Sequence, residues 1–425
     1  LYSLHQGITT FSIAGINESV AGFLKKATST KDKEYLFSNV LASIIPSSFF
    51  ALISSIFFYV FYLQYKNPDL VFIYTASAIL SSLFLGFSLF KSQMNRLKEN
   101  HFASILYLFL PQIVMFLGGV ICVSIFQNSQ AFFIGSALSL LITLLISTLL
   151  YRNGNLPMYN GQLTKKIVVN SSPYYLIAVI GWFGGYGNNF IINIYFDSFE
   201  IAAFTFIYTI SGIMLMISNS LNQVWAPRFY NSFGKTPFKE LERKNNYFYG
   251  ILSVLMGIAV SIIIILYPML LKMIGGNLIA YMDMKLELYL ILLSYIIYTP
   301  IWHYRIHFYA NAEGSSLMKA AILSSVLGLI SMISFINFFG DIGIYYGFLS
   351  MTIINLIITS TIALKKWHLK TNWIGVIVGS SISSITFYLS YNNYKLSYSA
   401  IFIICSILLS SLYFVKNNPE TTIKL

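Results

Sequence analysis

Two ionisable side chains lie inside long apolar stretches of this sequence. Glu18 and Arg305 each lie five or six residues from one end of a stretch, or roughly 7–9 Å along a helix at 1.5 Å per residue. A charge at the centre of a membrane span costs about 3 kcal/mol in insertion experiments, so such groups are functional candidates. Arg305 is a candidate for ligand contact or gating, and Glu18 for gating or coupling. Snorkelling to the nearby membrane interface is the alternative for each.

Two histidines flank Arg305 in the segment Trp302-His303-Tyr304-Arg305-Ile306-His307. His303 and His307 are four residues apart and share one face of a helix, a spacing that can bind a metal ion. Because no carboxylate accompanies them, no metal site is predicted. The pair is a candidate for titration or hydrogen bonding at the wall of a cavity, and packing is the alternative.

Small and polar residues recur at helical spacing in two apolar stretches. Positions i, i+4, i+7, i+11 and i+14 fall on one face of a helix. The two rows are His5, Thr9, Ser12, Ile16 and Ser19, and then Thr205, Thr209, Gly212, Met216 and Asn219, extended by Gln223. Equivalent polar faces half a protein apart predict two homologous lobes opposed across a cavity. Helix packing through small polar residues is the alternative.

A third polar face combines aromatic and amide groups within a predicted span at 173–196. It consists of Tyr175, Trp182, Gly185, Asn189 and Asn193. Aromatic rings and amides suit the stacking and hydrogen bonding that a sugar requires. A cluster of glycines in the same stretch permits either close helix approach or local unwinding; its members are Gly181, Gly184, Gly185 and Gly187.

The loops between the apolar stretches differ in charge from one side to the other. If the stretches are membrane spans, all but four of the 26 Lys and Arg residues fall on one face, and the exceptions are Lys66, Lys272, Lys285 and Lys395. Cytoplasmic loops hold such an excess, so Leu1 is expected outside and Leu425 in the cytoplasm. Because the sequence opens directly into a span and without Met, one further span is expected before it.

Composition excludes a soluble domain. Apolar residues make up 57% of the chain and charged residues 9%, against about 25% charged in soluble domains. The net charge of +12 is spread over short loops, where topology and anionic lipid explain it, so no nucleic-acid partner is expected. Cys122 and Cys405 lie in separate spans without metal-ligand spacing. No GxxxxGK[ST] sequence occurs, which excludes a P-loop ATPase.

Each apolar stretch is long enough to cross a hydrocarbon core of about 30 Å as an α-helix. The sequence therefore predicts an all-α polytopic membrane protein with thirteen transmembrane helices here and fourteen in the full-length protein. The expected spans are 1–24, 38–63, 69–90, 102–127, 131–151, 173–196, 199–227, 247–270, 286–310, 316–339, 342–364, 372–391 and 397–415.

Several segments resemble a known family, the bacterial Wzx-type oligosaccharide-lipid flippases of the multidrug/oligosaccharidyl-lipid/polysaccharide (MOP) exporter superfamily. The central resemblance lies in Ser172-Pro173-Tyr174-Tyr175, Gly181-Trp182, Ile191-Ile192 and Trp225-Ala226-Pro227-Arg228-Phe229-Tyr230. Leu1-Tyr2-Ser3-Leu4 resembles the start of the family's second span, and 340–347 resembles the turn between its eleventh and twelfth spans. In one departure, Asn188-Asn189 stands where family members often have an Asp-Arg pair.

The resemblance implies two pseudo-symmetric six-helix lobes around a central cavity, plus two C-terminal helices. The expected divisions are an N-terminal lobe at 1–151, a cytoplasmic linker at 152–172, a C-terminal lobe at 173–364, and two further spans with a cytoplasmic tail at 365–425. The resemblance also implies a transporter and not an enzyme. Its cargo would be an undecaprenyl-pyrophosphate-linked oligosaccharide, moved by alternating access to the outer leaflet of the bacterial cytoplasmic membrane for O-antigen, capsule or exopolysaccharide synthesis.

The implied cargo assigns roles to the candidate residues. Arg305 and Arg228 are the candidates for the diphosphate, because a guanidinium group binds phosphate oxygens as a fork. Glu18, His303 and His307 are the candidates for gating or for coupling to a proton or sodium gradient, and no cofactor is expected. The expected partners are the lipid-linked oligosaccharide, membrane lipids, a polysaccharide polymerase and a chain-length regulator. The remaining candidates for substrate binding are Trp182, Asn189, Asn219, Gln223 and His5.

Two other functions remain open. A drug/cation antiporter of the same superfamily would usually have twelve spans and acidic residues deep in a lobe, whereas Glu18 lies near the cytoplasmic edge. A membrane glycan polymerase would be expected to have a large external loop with Arg or His residues. The longest external loop here, 271–285, is short and contains neither.

Overall fold

The structure is a computed structural model. It describes residues 5, 7–9, 16, 20, 23, 35–36, 38–40, 42–44, 48–49, 52–53, 56, 72–97, 100–150, 160–185, 188–392, 394 and 396–416. Within these residues every regular element is a helix, and a single isolated bridge joins Phe233 to Thr236. The predicted all-α fold class is confirmed.

Twelve α-helices follow one another from position 72 onward in the described part of the chain. Short 3₁₀ turns join some of them, at Ser129–Ala131, Gly276–Tyr281 and Gly340–Ile342. The α-helices are α1 (Phe72–Leu97), α2 (His101–Phe126), α3 (Phe132–Leu150), α4 (Gly161–Phe183), α5 (Asn188–Tyr195), α6 (Ser198–Ser232), α7 (Phe238–Ile274), α8 (Lys285–Ala310), α9 (Gly314–Phe339), α10 (Gly343–Trp367), α11 (Trp373–Tyr391) and α12 (Leu396–Lys416).

The helices have the length and the surface of membrane spans. Seven helical stretches of the described residues are long and apolar enough to cross a membrane, and one of them, Gly314–Trp367, contains both α9 and α10. Large apolar side chains point outward from the protein, among them Phe338 with 83% of its surface exposed and Met273 with 82%. An apolar exterior of this extent requires a lipid environment. The chain is a multi-span membrane protein.

The predicted spans after position 69 correspond closely to helices, with two corrections. The single span predicted at 173–196 is two helices, because α4 ends at Phe183 and α5 begins at Asn188. The chain leaves the helix at Gly184 and Gly185, whose backbone N–H groups donate to Ile180 O and Trp182 O. The predicted span is thus interrupted at Gly184 and Gly185. A Cβ added to Gly181 would meet nothing within 4 Å, so no close helix approach occurs at that glycine among the described residues.

The second correction concerns predicted loops that are helical. Helix α4 begins at Gly161 within the predicted linker, and α7 begins at Phe238 instead of 247. Amphipathic first turns explain both differences, because their polar residues lower the hydropathy of a segment that is nevertheless helical. The predicted spans at 1–24 and 38–63 lie mostly outside the described residues.

The chain divides into two compact units. The first comprises Leu1–Gly187 with Tyr309–Met318. In this unit α2 and α3 approach through glycine, since a Cβ on Gly135 would lie 2.0 Å from the carbonyl oxygen of Gly118. Between α1 and α2, the Ser92 hydroxyl donates to the Ser104 carbonyl at 2.7 Å. Small residues and hydroxyl groups are what pack helices in lipid, where apolar side chains gain nothing by association.

The second unit comprises Asn188–Phe308 and Lys319–Leu425. Its core is apolar and is formed mainly by α6, α7 and α8. Helix α11 packs on α7 through a GxxxG pair, because a Cβ on Gly375 would lie 2.4 Å from Gly250 O and one on Gly379 2.3 Å from Ser253 O. The two C-terminal helices are thus integral to this unit, and α7 holds α12 through the bond from Tyr247 OH to Phe414 O.

Candidate functional site

A buried polar network lies in the second unit, with Asn245 at its centre. Asn245 is fully buried, and its Oδ1 accepts a hydrogen bond of 2.7 Å from Trp225 Nε1. Its Nδ2 lies 2.9 Å from His303 Nδ1 and 3.4 Å from His307 Nε2. Both histidines are also buried, at 1% and 0% exposure. The network therefore joins α6, α7 and α8 inside the unit.

The local sequence of each helix positions these side chains. On α8, the i, i+4 spacing brings His303 and His307 to one face, with ring centroids 5.8 Å apart. On α7, Asn245 shares its face with buried Leu241 and Tyr249. On α6, Trp225 stacks on Phe248 of α7 at 5.0 Å and an angle of 12° between the rings. The aromatic stack fixes the indole N–H so that it points at Asn245.

Aromatic rings surround the two imidazoles. Phe229 contacts His307 edge-on at 5.0 Å, and Phe238 lies 5.7 Å from the same ring. His303 contacts Tyr304 at 5.2 Å and Tyr249 at 5.9 Å. No group of three His, Cys, Asp or Glu side chains in the described ranges is placed to hold a metal ion.

A small cavity adjoins His303. Its lining combines polar side chains with apolar surface, and includes Asn246, Ser253 and Thr371 beside Pro300 and Val376. Its volume suffices for about one water molecule. Two buried atoms in this lining, His303 Nε2 and Asn246 Oδ1, form no hydrogen bond with any residue that the structure describes. The cavity thus borders His303 and provides space for a water molecule near it.

Arg305 lies on another face of α8, which is only partly buried. Its guanidinium carbon is 5.3 Å from the centre of the Tyr298 ring and 5.9 Å from that of Trp302. All three side chains are of intermediate exposure. Cation–π contacts hold the charge against the helix instead of extending it toward the interface, so α8 presents two histidines to the core and an arginine with two aromatic rings elsewhere.

The other candidates of the second unit are spread along α5 and α6. Asn189 accepts a hydrogen bond of 3.2 Å from the Thr205 hydroxyl, which links two predicted polar positions. Asn219 is partly buried and Arg228 is exposed. Gln223 belongs to α6, but its side chain lies outside the described part. The predicted row on α6 is largely open, since Met216 is 43% exposed and a Cβ on Gly212 would meet nothing within 4 Å.

The candidates of the first unit lie in a packed environment. His5 is 2% exposed, and its ring lies 5.9 Å from that of Phe133 on α3. Thr9 donates to His5 O at 2.9 Å and lies 3.3 Å from Ser82 O of α1. A Cβ on Gly7 would lie 3.1 Å from the Trp182 ring. Trp182 therefore packs against Gly7, and Glu18 lies outside the described residues.

Sequence reasoning missed Asn245, the residue that joins Trp225 to the histidines. Asn245 was expected in the loop before a span at 247, so its burial could not be inferred. A signal was nevertheless present, because Leu241, Asn245, Tyr249 and Leu252 follow helical spacing upstream of the apolar stretch. Trp225 was noted only as part of a family motif, without a role.

The comparisons with known proteins support the fold. The chain is similar to a crystal structure of an Asp-to-Asn mutant of the Vibrio cholerae MATE transporter VcmN, with a TM-score of 0.63 and 12% identity over 87% of this chain and 86% of that one. It is similar to VcmN in the bent form, with a TM-score of 0.58 and 13% identity over 91% and 87%. For the eukaryotic MATE transporter AtDTX14, the TM-score is 0.56 with 14% identity over 89% and 87%.

These likenesses define the class of the fold. The chain has the fold of MATE transporters. No family model and no curated protein matches the sequence.

Proposed function

We propose that this protein is a membrane transporter of the MOP superfamily that works by alternating access. The observation that carries the proposal is the fold, which agrees with MATE transporters over nearly the whole length of both chains. The likeness weighs against a glycan polymerase. Transporters built from two such units move cargo by rocking one unit against the other, with no chemical step on the cargo.

The fold likeness favours an antiporter as the function to test first. The similar structures are MATE transporters, and a drug/cation antiporter of the same superfamily is the function that fits them. One feature of the side chains argues against a cationic cargo. In the described part of the chain, acidic groups of the helices lie near helix ends, such as Glu200, Glu240 and Glu287. An antiporter would therefore depend on acids elsewhere, with Glu18 as the first candidate.

The side chains favour an anionic, sugar-bearing cargo as the second function. Arg305 lies half-buried on α8 with two aromatic rings beside it. A guanidinium group binds diphosphate oxygens and the rings can stack on sugar. These properties match an undecaprenyl-pyrophosphate-linked oligosaccharide, with Arg228, Asn219, Asn189, Gln223, Trp182 and His5 as further contacts. In that case the protein acts in O-antigen, capsule or exopolysaccharide synthesis in the bacterial cytoplasmic membrane.

One reconstitution distinguishes the two cargoes. The full-length protein is placed in proteoliposomes with an imposed proton or sodium gradient. One sample contains ethidium as a cationic dye, and the other a polyprenyl-pyrophosphate oligosaccharide detected by an external lectin. Gradient-driven ethidium movement supports the antiporter, and appearance of the oligosaccharide at the outer leaflet supports the flippase. Movement of neither cargo at rates above protein-free liposomes would contradict the proposed function.

Arg305 then tests the anionic cargo directly. Arg305→Ala is expected to abolish oligosaccharide movement, and Arg305→Lys to restore only part of it because lysine lacks the planar fork. Lys365→Ala, which removes an exposed charge at the end of α10, is the matched control. Normal glycan export in cells that contain Arg305→Ala at wild-type abundance would remove Arg305 from the binding site.

A further inference from the structure

The hydrogen bonds around Asn245 determine which ring nitrogens carry protons. An indole N–H can only donate, so the Asn245 atom 2.7 Å from Trp225 Nε1 is the amide oxygen. The amide NH₂ therefore faces the histidines, with His303 Nδ1 at 2.9 Å and His307 Nε2 at 3.4 Å. Those two ring nitrogens act as acceptors. Only a neutral imidazole has such a lone pair, so the network in this form requires both rings to be neutral.

A proton on either acceptor nitrogen is incompatible with this arrangement. The new N–H would face the NH₂ group of Asn245, and two donors would then be opposed. If the amide turned over, its oxygen would suit the protonated histidine, but its NH₂ would face the N–H of Trp225. Each orientation of Asn245 therefore leaves one opposed pair of donors, which is costly in a buried site. Proton binding must change the contacts among α6, α7 and α8.

A small cavity borders one histidine of the pair. In the neutral ring of His303, whose Nδ1 accepts from Asn245, the proton is on Nε2. His303 and Asn246 both line the cavity, which has polar and apolar walls and admits about one water molecule. His303 Nε2 and Asn246 Oδ1 are buried without a hydrogen bond to the residues that the structure describes, and a bridging water commonly satisfies such groups. A water molecule in this cavity would give a proton a route to His303.

The two imidazole rings are in contact mainly with aromatic side chains. Two titratable rings contact the pair, Tyr249 from α7 and Tyr304 from α8. Three further ring contacts are with uncharged side chains: Phe229 of α6, Phe238 of α7 and Trp367 of α10. At the α10–α11 turn, the backbone N–H of Lys370 donates to the carboxylate of Glu242 on α7 at 2.8 Å. Exposed Lys366 lies over the Trp367 ring.

We propose that His303 and His307 form a proton-binding site inside the second unit, and that proton uptake releases Trp225 from Asn245. The consequence reaches α6, the helix whose open row of polar residues includes Asn219. The inference rests on the proposed transport function, for which it supplies a coupling device. A proton fits this site better than a metal ion, because two imidazoles share one amide here and no group of three His, Cys, Asp or Glu side chains in the described residues is placed to hold a metal.

Tryptophan fluorescence of the purified full-length protein in nanodiscs tests this proposal without any cargo. As the pH is lowered from about 8, through the ordinary titration range of histidine and on to about 3, the wild type is expected to show a reversible change in emission. The scan continues below the ordinary range because the opposed donors make a proton on the buried pair costly. Trp225→Phe should remove that change, which assigns it to the network. The double variant His303→Asn with His307→Gln should also remove it, because these amides keep an acceptor near Nδ1 and Nε2 but bind no proton.

Two further variants make the test decisive. His368→Gln alters an exposed histidine at the end of α10 and should leave the fluorescence change intact. Asn245→Asp replaces the amide with a group that only accepts, so it suits Trp225 and protonated histidines together. Its transition is expected at higher pH, by about 1 unit or more.

An unresponsive wild type, or a double variant that responds as the wild type does, would overturn the proposal. An Asn245→Asp transition at an unchanged pH would contradict the mechanism in which Asn245 opposes the proton. Because no cargo is present, these outcomes are independent of the reconstitution that tests transport.

Discussion

Two rows of polar residues with the same spacing have different environments in this protein. In the first unit, His5, Thr9 and Ile16 are at most 4% exposed. In the second unit, the row on α6 is largely open: Thr209 is exposed, and the space beside Gly212 is empty within 4 Å. The first row has the environment of helix packing, and the second has that of a surface that a ligand, water or lipid can reach.

The difference shows what periodicity can and cannot decide. Helical spacing places residues on one face, but the neighbours of that face decide whether it packs or remains open. Thr9 lies close to a carbonyl of α1, whereas the hydrogen bond of Thr209 among the described residues is to Thr205 O within its own helix. The two polar faces are therefore not equivalent: His5 and Thr9 have a packing role, whereas the row on α6 lies at a surface.

The largest effect is expected from thiol labelling of the two rows. In a protein with Cys122→Ala and Cys405→Ala, Met216→Cys should react with a membrane-impermeant maleimide on the order of ten times faster than Ile16→Cys, because reaction requires an accessible thiolate. Ile16 is 1% exposed and Met216 is 43% exposed. The measurement is the labelling rate in sealed proteoliposomes.

Labelling at a third position shows whether an exposed residue is surrounded by water or by lipid. Ile330 on α9 is 57% exposed, and Ile330→Cys should stay unlabelled if its surroundings are lipid. If Met216→Cys is as slow as Ile330→Cys, the open row on α6 faces lipid and cannot bind cargo.

The sequence predicted the helices far better than the polar network. The ends of α8 to α12 agree with the predicted spans because long apolar segments between charged loops have one stable arrangement in a membrane. The bonds of Asn245 depend on Trp225 and His303, which lie far apart in the sequence and meet only through tertiary packing. The break at Gly184 had two physical explanations in the sequence, and only the structure distinguishes them.

Replacing one glycine beside each row with leucine should also distinguish the packed row from the open one, with a smaller effect. Gly7→Leu is expected to lower the free energy of unfolding by about 1–3 kcal/mol, because a side chain must displace the Trp182 ring. Gly212→Leu is the matched control. It should preserve or raise stability, since leucine favours a helix by roughly 1 kcal/mol relative to glycine and has open space there. Thermal unfolding in nanodiscs measures both, and equal losses would mean that the α6 row is packed after all.

The smallest effect should come from removing one hydroxyl group in each row. Thr9→Val eliminates the hydrogen bond to His5 O and the contact with Ser82 O while keeping the shape of the side chain, so a loss of about 1 kcal/mol is expected. Thr209→Val removes a bond that remains within one exposed turn of α6, and its stability should change by less than about 0.5 kcal/mol. If Thr209→Val lowers the unfolding midpoint as much as Thr9→Val does, the hydroxyl on α6 supports packing. If it instead slows transport at unchanged stability, the open row contributes to the path of the cargo, as a surface that contacts ligand should.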